Sequence, residues 1–265
     1  VIRITLPCAI ISNFSKISMD MSMLILCVIG IVCNLIYVGI GYGINQKRSG
    51  DAKAFDMLNL SGYNIGNFTM PFIQNFLGPV GFAATSLFDA GNSVMCTGLT
   101  FALASAAKGE GGRSSAGSMV KTLLSSLPFD CYMIMTVVAM FQIKLPEVVL
   151  SFASTAGGAN AFLALFMIGI GFEIHADKEK LTEIVKILSI RYSIALAFSL
   201  IFYFLAPFSL EVRQTLAIVA FGPVSSVSPA FTGKLNGDVE LSSAINSLQI
   251  MISVVLLTLA LIVVL

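Results

Sequence analysis

Residues 57–78 read MLNLSGYNIGNFTMPFIQNFLG, and residues 213–237 read RQTLAIVAFGPVSSVSPAFTGKLNG. In the first stretch Asn59, Asn64, Asn67, Gln74 and Asn75 are set among Gly62, Gly66 and Pro71. In the second, Gly222, Pro223, Ser225, Ser226, Ser228 and Pro229 occupy the centre. Proline withdraws a backbone donor and clashes with the preceding turn, and glycine weakens a helix, so each stretch is expected to unwind near its middle. Freed backbone groups cannot face lipid; they are tolerated where they line a cavity or are buried in protein. Two interrupted segments at matching positions of two halves point to a transporter binding site.

The rest of the chain supplies the apolar setting this reading needs. Of 265 residues, 57% are hydrophobic and 11% charged, and the mean hydropathy is +0.92. That is far more apolar than soluble domains usually are. A net charge of +1, with charges confined to short connections, offers no basic surface for nucleic acid. A hydrocarbon core of about 30 Å needs about 20 apolar residues per helix. On that ruler nine segments are expected, near 1–14, 19–44, 55–77, 82–106, 122–142, 147–172, 184–205, 213–233 and 239–265. The connections on one side carry Lys47, Arg48, Lys53, Lys108, Arg113, Lys121, Lys178, Lys180 and Lys234. Those on the other carry Lys16, Lys144 and Arg213, so the richer side is expected in the cytoplasm and Leu265 outside.

The polar, Gly/Ser-rich stretch 107–121 reads as a cytoplasmic linker between two halves. Five segments follow it and the broken one is the last but one; four precede it and the broken one is again the last but one. Equal halves imply one helix missing before Val1, where the chain enters an apolar segment at once. The expected fold is thus an all-α polytopic membrane protein of inverted five-helix repeats, ten helices when intact and about nine here, with two broken, crossing helices. Residues 1–106 form the first repeat, lacking its first helix, and 122–265 the second.

The order and spacing of several motifs resemble the auxin efflux carrier family, also called PIN-like membrane transporters, within the bile acid/sodium symporter fold group. The resemblance covers nearly all of the chain. It rests on Leu6-Pro7, Asn64-x-Gly66-Asn67-x-x-x-Pro71, the stretch ALFMIG at 164–169, and Pro223 to Pro229 followed by Gly237-Asp238-x-Glu240-Leu241. It implies a scaffold bundle and a transport bundle whose broken helices cross at the substrate site. The chain departs from the family at Ala161-Phe162, where a proline is usual, and at Asp130, where an apolar residue is common.

Half-helix N-termini meeting at the midplane present free N–H groups and partial positive charge, which suits a carboxylate without lysine or arginine. Asn64 and Asn67 add amides and Ser225, Ser226 and Ser228 add hydroxyls. Gly66, Pro71, Pro223 and Pro229 shape the same region, and these nine residues are the expected substrate contacts. The same polar groups could instead satisfy the unwound backbone of their own helices. Asp89, with Asn92 three residues on and on the same face, is the expected coupling carboxylate for H+ or Na+; Asp130 is a second candidate. Arg191 and Lys186 are expected to reach the cytoplasmic interface, and His175 to be solvated in a charged loop. Cys8, Cys27, Cys33, Cys96 and Cys131 lie in apolar stretches without metal or redox spacing and read as apolar fillers. Gly39-x-Gly41-x-Gly43 would allow close helix packing, within the fold or in a homodimer.

No motif for zinc hydrolysis, nucleophilic catalysis or nucleotide binding occurs, so no enzyme and no cofactor are expected. The expected function is a secondary carrier for small organic anions, mono- or dicarboxylates such as malate or malonate by the family resemblance. A channel is the alternative; a membrane-embedded hydrolase using Asp89 and Asp130 is a more distant one.

Overall fold

The computed structural model describes residues 3–16, 21–109, 117, 121, 124, 127–160, 162, 163, 166 and 180–264. Among these residues all regular structure is helical. In chain order the helices are α1 (Thr5–Phe14), α2 (Ile25–Gly43), α3 (Gly50–Leu60), α4 (Met70–Phe76), α5 (Gly78–Val94) and α6 (Thr100–Lys108). They continue with α7 (Leu127–Met140), α8 (Glu147–Gly158), α9 (Leu181–Leu205), α10 (Leu210–Val219), α11 (Ser228–Lys234) and α12 (Val239–Val264). Most of the expected linker 107–121 and of the stretch 164–169, and the whole loop that holds His175, lie outside the described residues.

Three helices, α2, α9 and α12, are long and apolar enough to cross a membrane, with mean hydropathies of 2.2, 1.8 and 2.6 over their best windows. Much of their apolar surface faces outward, as Phe204 at 65%, Ile262 at 72% and Val263 at 82% exposure illustrate. Contiguous faces of this kind are not left bare in water, and hydrocarbon is the solvent that suits them.

The two glycine- and proline-rich stretches are broken as expected. α3 starts at Ser49, whose side chain accepts from the Ala52 N–H, and stops at Leu60. Residues 61–64 are non-helical, with Gly62 at φ +84°, where an L side chain is strained. A wide turn, Ile65–Thr69, then leads into α4. α10 stops at Val219, residues 220–227 are non-helical, and α11 begins at Ser228. Pro71 and Pro229 sit in the first turns of α4 and α11, where the missing donor costs no bond.

The expected single helix over 82–106 is also interrupted: a wide turn, Met95–Leu99, separates α5 from α6 beside the first break. Such turns insert an extra residue into the helical ladder and often accompany functional sites.

Close packing of α2 on α5 brings this assembly together. A Cβ at Gly91 would lie 1.9 Å from the Cys27 carbonyl oxygen, and one at Gly30 would lie 2.3 Å from that of Phe88. α8 approaches α1 in the same way through Gly157, whose Cβ would lie 2.6 Å from the Ala9 nitrogen. In the triplet Gly39-x-Gly41-x-Gly43, among the described residues, Gly41 packs against the backbone at Met57, and nothing lies within 4 Å of a Cβ at Gly39 or Gly43.

Ion pairs gather at one end of the bundle. Lys186 pairs with the buried Asp56 at 2.7 Å and with Glu183, Arg48 with Glu183, Lys108 with Asp51, and Lys180 with Asp238 and Glu240. They join the start of α9 to α3, to the connection before α3 and to the start of α12, and the end of α6 to α3. Burial pushes the Asp238 carboxyl up, but the Leu241 N–H and Lys180 outweigh it and hold the group below its ordinary range.

Candidate functional site

The two breaks touch. The Asn64 N–H donates to the Pro223 carbonyl at 2.9 Å, and Gly62 lies so close to Ser225 that an added Cβ would be 3.0 Å from the serine Cβ. Chain unwinding at each break frees backbone groups, and neighbouring helices supply side chains for them. At the first break, the Gly62 N–H donates to Asn34 Oδ1 on α2 (2.6 Å) and the Tyr63 N–H to Asn92 Oδ1 on α5 (2.9 Å). Asn92 Nδ2 returns a bond to the Tyr63 carbonyl at 2.9 Å. At the second, the Val224 N–H donates to Gln249 Oε1 on α12 at 2.8 Å. Asn246 Nδ2 donates to the carbonyls of Val224 and Ser225, and Ser253 Oγ to that of Phe221.

Arg191 joins both breaks and corrects the expectation that it reaches the interface. It is 1% exposed, and its guanidinium donates to the carbonyls of Leu60, of Gly62 (3.0 Å) and of Gly222 (2.8 Å). The rings of Tyr37 and Tyr63 flank it, with centroids 4.9 and 5.0 Å away. The sequence estimate began this segment at residue 184. The helix begins at Leu181, which carries Arg191 about 15 Å along its axis, near the middle of its 25 residues. A charge in the middle of an apolar segment was the available signal.

Above this frame lies a cavity of about 180 Å³ whose wall includes Asn64, Gly66, Asn67, Asp89, Ser225 and Ser226. Tyr63, Asn92, Ser93, Cys96 and Pro128 also line it. The expected residues therefore divide. Asn64 Nδ2 donates to Ser226 Oγ at 2.8 Å across the two breaks. Gly66 keeps the wall open, since a Cβ there would meet Leu6 at 3.1 Å. Asn67 makes no hydrogen bond to the described residues, and its Oδ1 is buried without a partner. Asp89 is fixed by Asn92 Nδ2 (2.9 Å) and the Tyr132 hydroxyl (3.0 Å).

Other expected contacts lie elsewhere. Ser228 Oγ donates to the Leu58 carbonyl, which ties α11 to α3, and Ser228 is absent from the cavity wall. Pro71 and Pro229 are helix-starting residues outside the wall, and Pro223 contributes its carbonyl to Asn64. Asp130 is also outside the wall, although Pro128 is in it: two residues turn a helix by about 200°, which directs Asp130 away from the cavity. Cys96, read as an apolar filler, lines the cavity and lies 3.4 Å from Asn92 Oδ1. Asn34 and Tyr132 were not singled out by sequence, since nothing in their spacing marks them as facing the breaks.

No protein-family model and no curated protein matches the chain.

Proposed function

We propose that the chain is a multi-pass carrier of the auxin efflux carrier type that moves small organic anions, mono- or dicarboxylates, through the crossing of its broken helices. The observation that carries this reading is the contrast among the amides. Asn34, Asn92, Asn246 and Gln249 are engaged with the unwound backbone, whereas Asn67, in the cavity wall where the breaks meet, makes no side-chain hydrogen bond to the described residues, its Oδ1 being buried without a partner. An amide left without a partner in a membrane protein is costly, and a substrate that pairs with it recovers that cost. About 180 Å³ admits an acid of a few carbons and is well below a drug-sized site of about 300–1,000 Å³.

Support for two related halves comes from matching chemistry. Each break is followed by a helix whose amide side chain holds the unwound strand: Asn92 on α5 for the first, Gln249 on α12 for the second. In this reading the halves insert in opposite orientations, the ion-paired end faces the cytoplasm, and the C-terminal helix ends outside. Asp89 lines the cavity, and in the same reading it exchanges a proton with the carboxylate substrate.

The test is uptake of a panel of labelled mono- and dicarboxylates into proteoliposomes. One acid is expected to show saturable uptake and counterflow, which a channel does not give. Asn67→Ala is expected to lower that uptake about 10-fold or more, the effect of losing a hydrogen bond to a charged partner. A folded Asn67→Ala protein that transports like wild type would remove Asn67 from the site.

A further inference from the structure

Carriers with unwound helices commonly hold a coupling sodium on the carbonyls that the unwinding exposes. Here the carbonyls of Leu60, Gly62 and Gly222, drawn from both breaks, already accept from the Arg191 guanidinium. The arginine is 1% exposed and forms no ion pair with a carboxylate among the described residues. Its charge is met instead by carbonyl dipoles and the faces of Tyr37 and Tyr63. A hard cation needs several oxygens converging at short range. No group of three or more acidic, histidine or cysteine side chains offers this among the described residues. Asp89 is the one carboxylate in the cavity wall among the described residues, and each of its oxygens already accepts a bond, from Asn92 and from Tyr132.

We propose that Arg191 is a tethered cation in the position where a coupling sodium would sit, so that transport through this crossing is independent of sodium. The proposal rests on the carrier reading for its transport consequence. Its structural content, a fixed guanidinium in place of an exchangeable ion, stands apart from that reading. The tethered charge keeps the two breaks joined whether or not substrate is present. It also lies just behind Tyr63 and Gly62, beside the cavity, and so adds a permanent positive field for an anion.

Two readouts keep the proposal and the carrier reading distinguishable. In proteoliposomes, replacing NaCl by choline chloride on both sides is expected to leave initial acid uptake unchanged within about twofold, whereas sodium-dependent uptake overturns the proposal. The thermal stability of purified protein in detergent needs no substrate. Wild type is expected to melt at the same temperature in NaCl and choline chloride, and Arg191→Ala well below wild type, with partial recovery in millimolar methylguanidinium or sodium. A saturable, sodium-specific rise in the wild-type Tm overturns the proposal even if no acid is transported. So does an Arg191→Ala protein as stable as wild type. Should Arg191→Ala not yield folded protein, Arg191→Lys, which keeps the charge but loses the fork, is expected to fold with a Tm lower than wild type and unmoved by sodium; a sodium-specific rise there counts against the proposal.

Discussion

Gly91→Ala is expected to leave little or no monodisperse protein. The new Cβ would stand 1.9 Å from the Cys27 carbonyl oxygen, 2.8 Å from its carbon and 3.1 Å from its Cα, all backbone atoms of α2. No rotamer can relieve such a contact, so α2 and α5 must separate. Overpacking in a core that can adjust costs about 1–3 kcal/mol, and a backbone collision of this kind exceeds that range. Separation also withdraws Asn34 from Asn92 and from the Gly62 N–H, so the damage reaches the first break. Gly39→Ala is the matched control, since none of the described residues lies within 4 Å of its Cβ position. It is expected to fold like wild type, and helix propensity favours it slightly. Size-exclusion profiles and melting curves of the two variants in one detergent check the difference. Normal profiles for both would mean that the α2–α5 approach is looser than described.

Asn92→Leu is expected to give the second largest effect. The side chain receives the Tyr63 N–H, donates to the Tyr63 carbonyl and holds Asp89 Oδ1. Leucine is similar in size and makes none of these bonds. Two buried backbone groups then lose their partners at about 1–3 kcal/mol each, and the carboxyl loses one of its two donors. The loss of stability should be several times that of Gln249→Leu, which strips only the Val224 N–H of a side-chain acceptor. Denaturation of both variants in the same micelles measures the order. If Gln249→Leu proves the more damaging, the first break is held by something other than Asn92.

The breaks themselves were legible because glycine and proline in an apolar segment act locally, through φ and through the missing donor. What lies opposite them was not legible. Asn64 and Pro223 are far apart in sequence, and the hydrogen bond between them depends on how the helices pack. Residue type told that asparagines would serve the crossing, but not which of them hold backbone and which remain open. That division follows from position: both line the cavity, but Asn92 is spent on Tyr63, while Asn67 makes no side-chain hydrogen bond to the described residues. Ser228 and Asp130 show the same limit, one turned to Leu58 and the other away from the wall. Arg191, expected at an interface, lies in the centre of the fold, because the carbonyls that receive it come from two segments distant in sequence. Of the glycine triplet Gly41 packs closely within the fold, but the tightest contacts come from Gly30 and Gly91, which stand alone in sequence and carry no such spacing.

Cys96 offers the most direct measurement of whether the crossing is the substrate site. All five cysteines are free, so replacing Cys8, Cys27, Cys33 and Cys131 by alanine leaves one thiol in the cavity wall. Its rate of alkylation by N-ethylmaleimide should fall when the transported acid is added, with half protection near the concentration that half-saturates uptake. Asn67→Ala should abolish that protection. Alkylation at the same rate with and without an acid that the same protein transports would contradict the account, because a substrate bound between the two breaks must cover this sulfur.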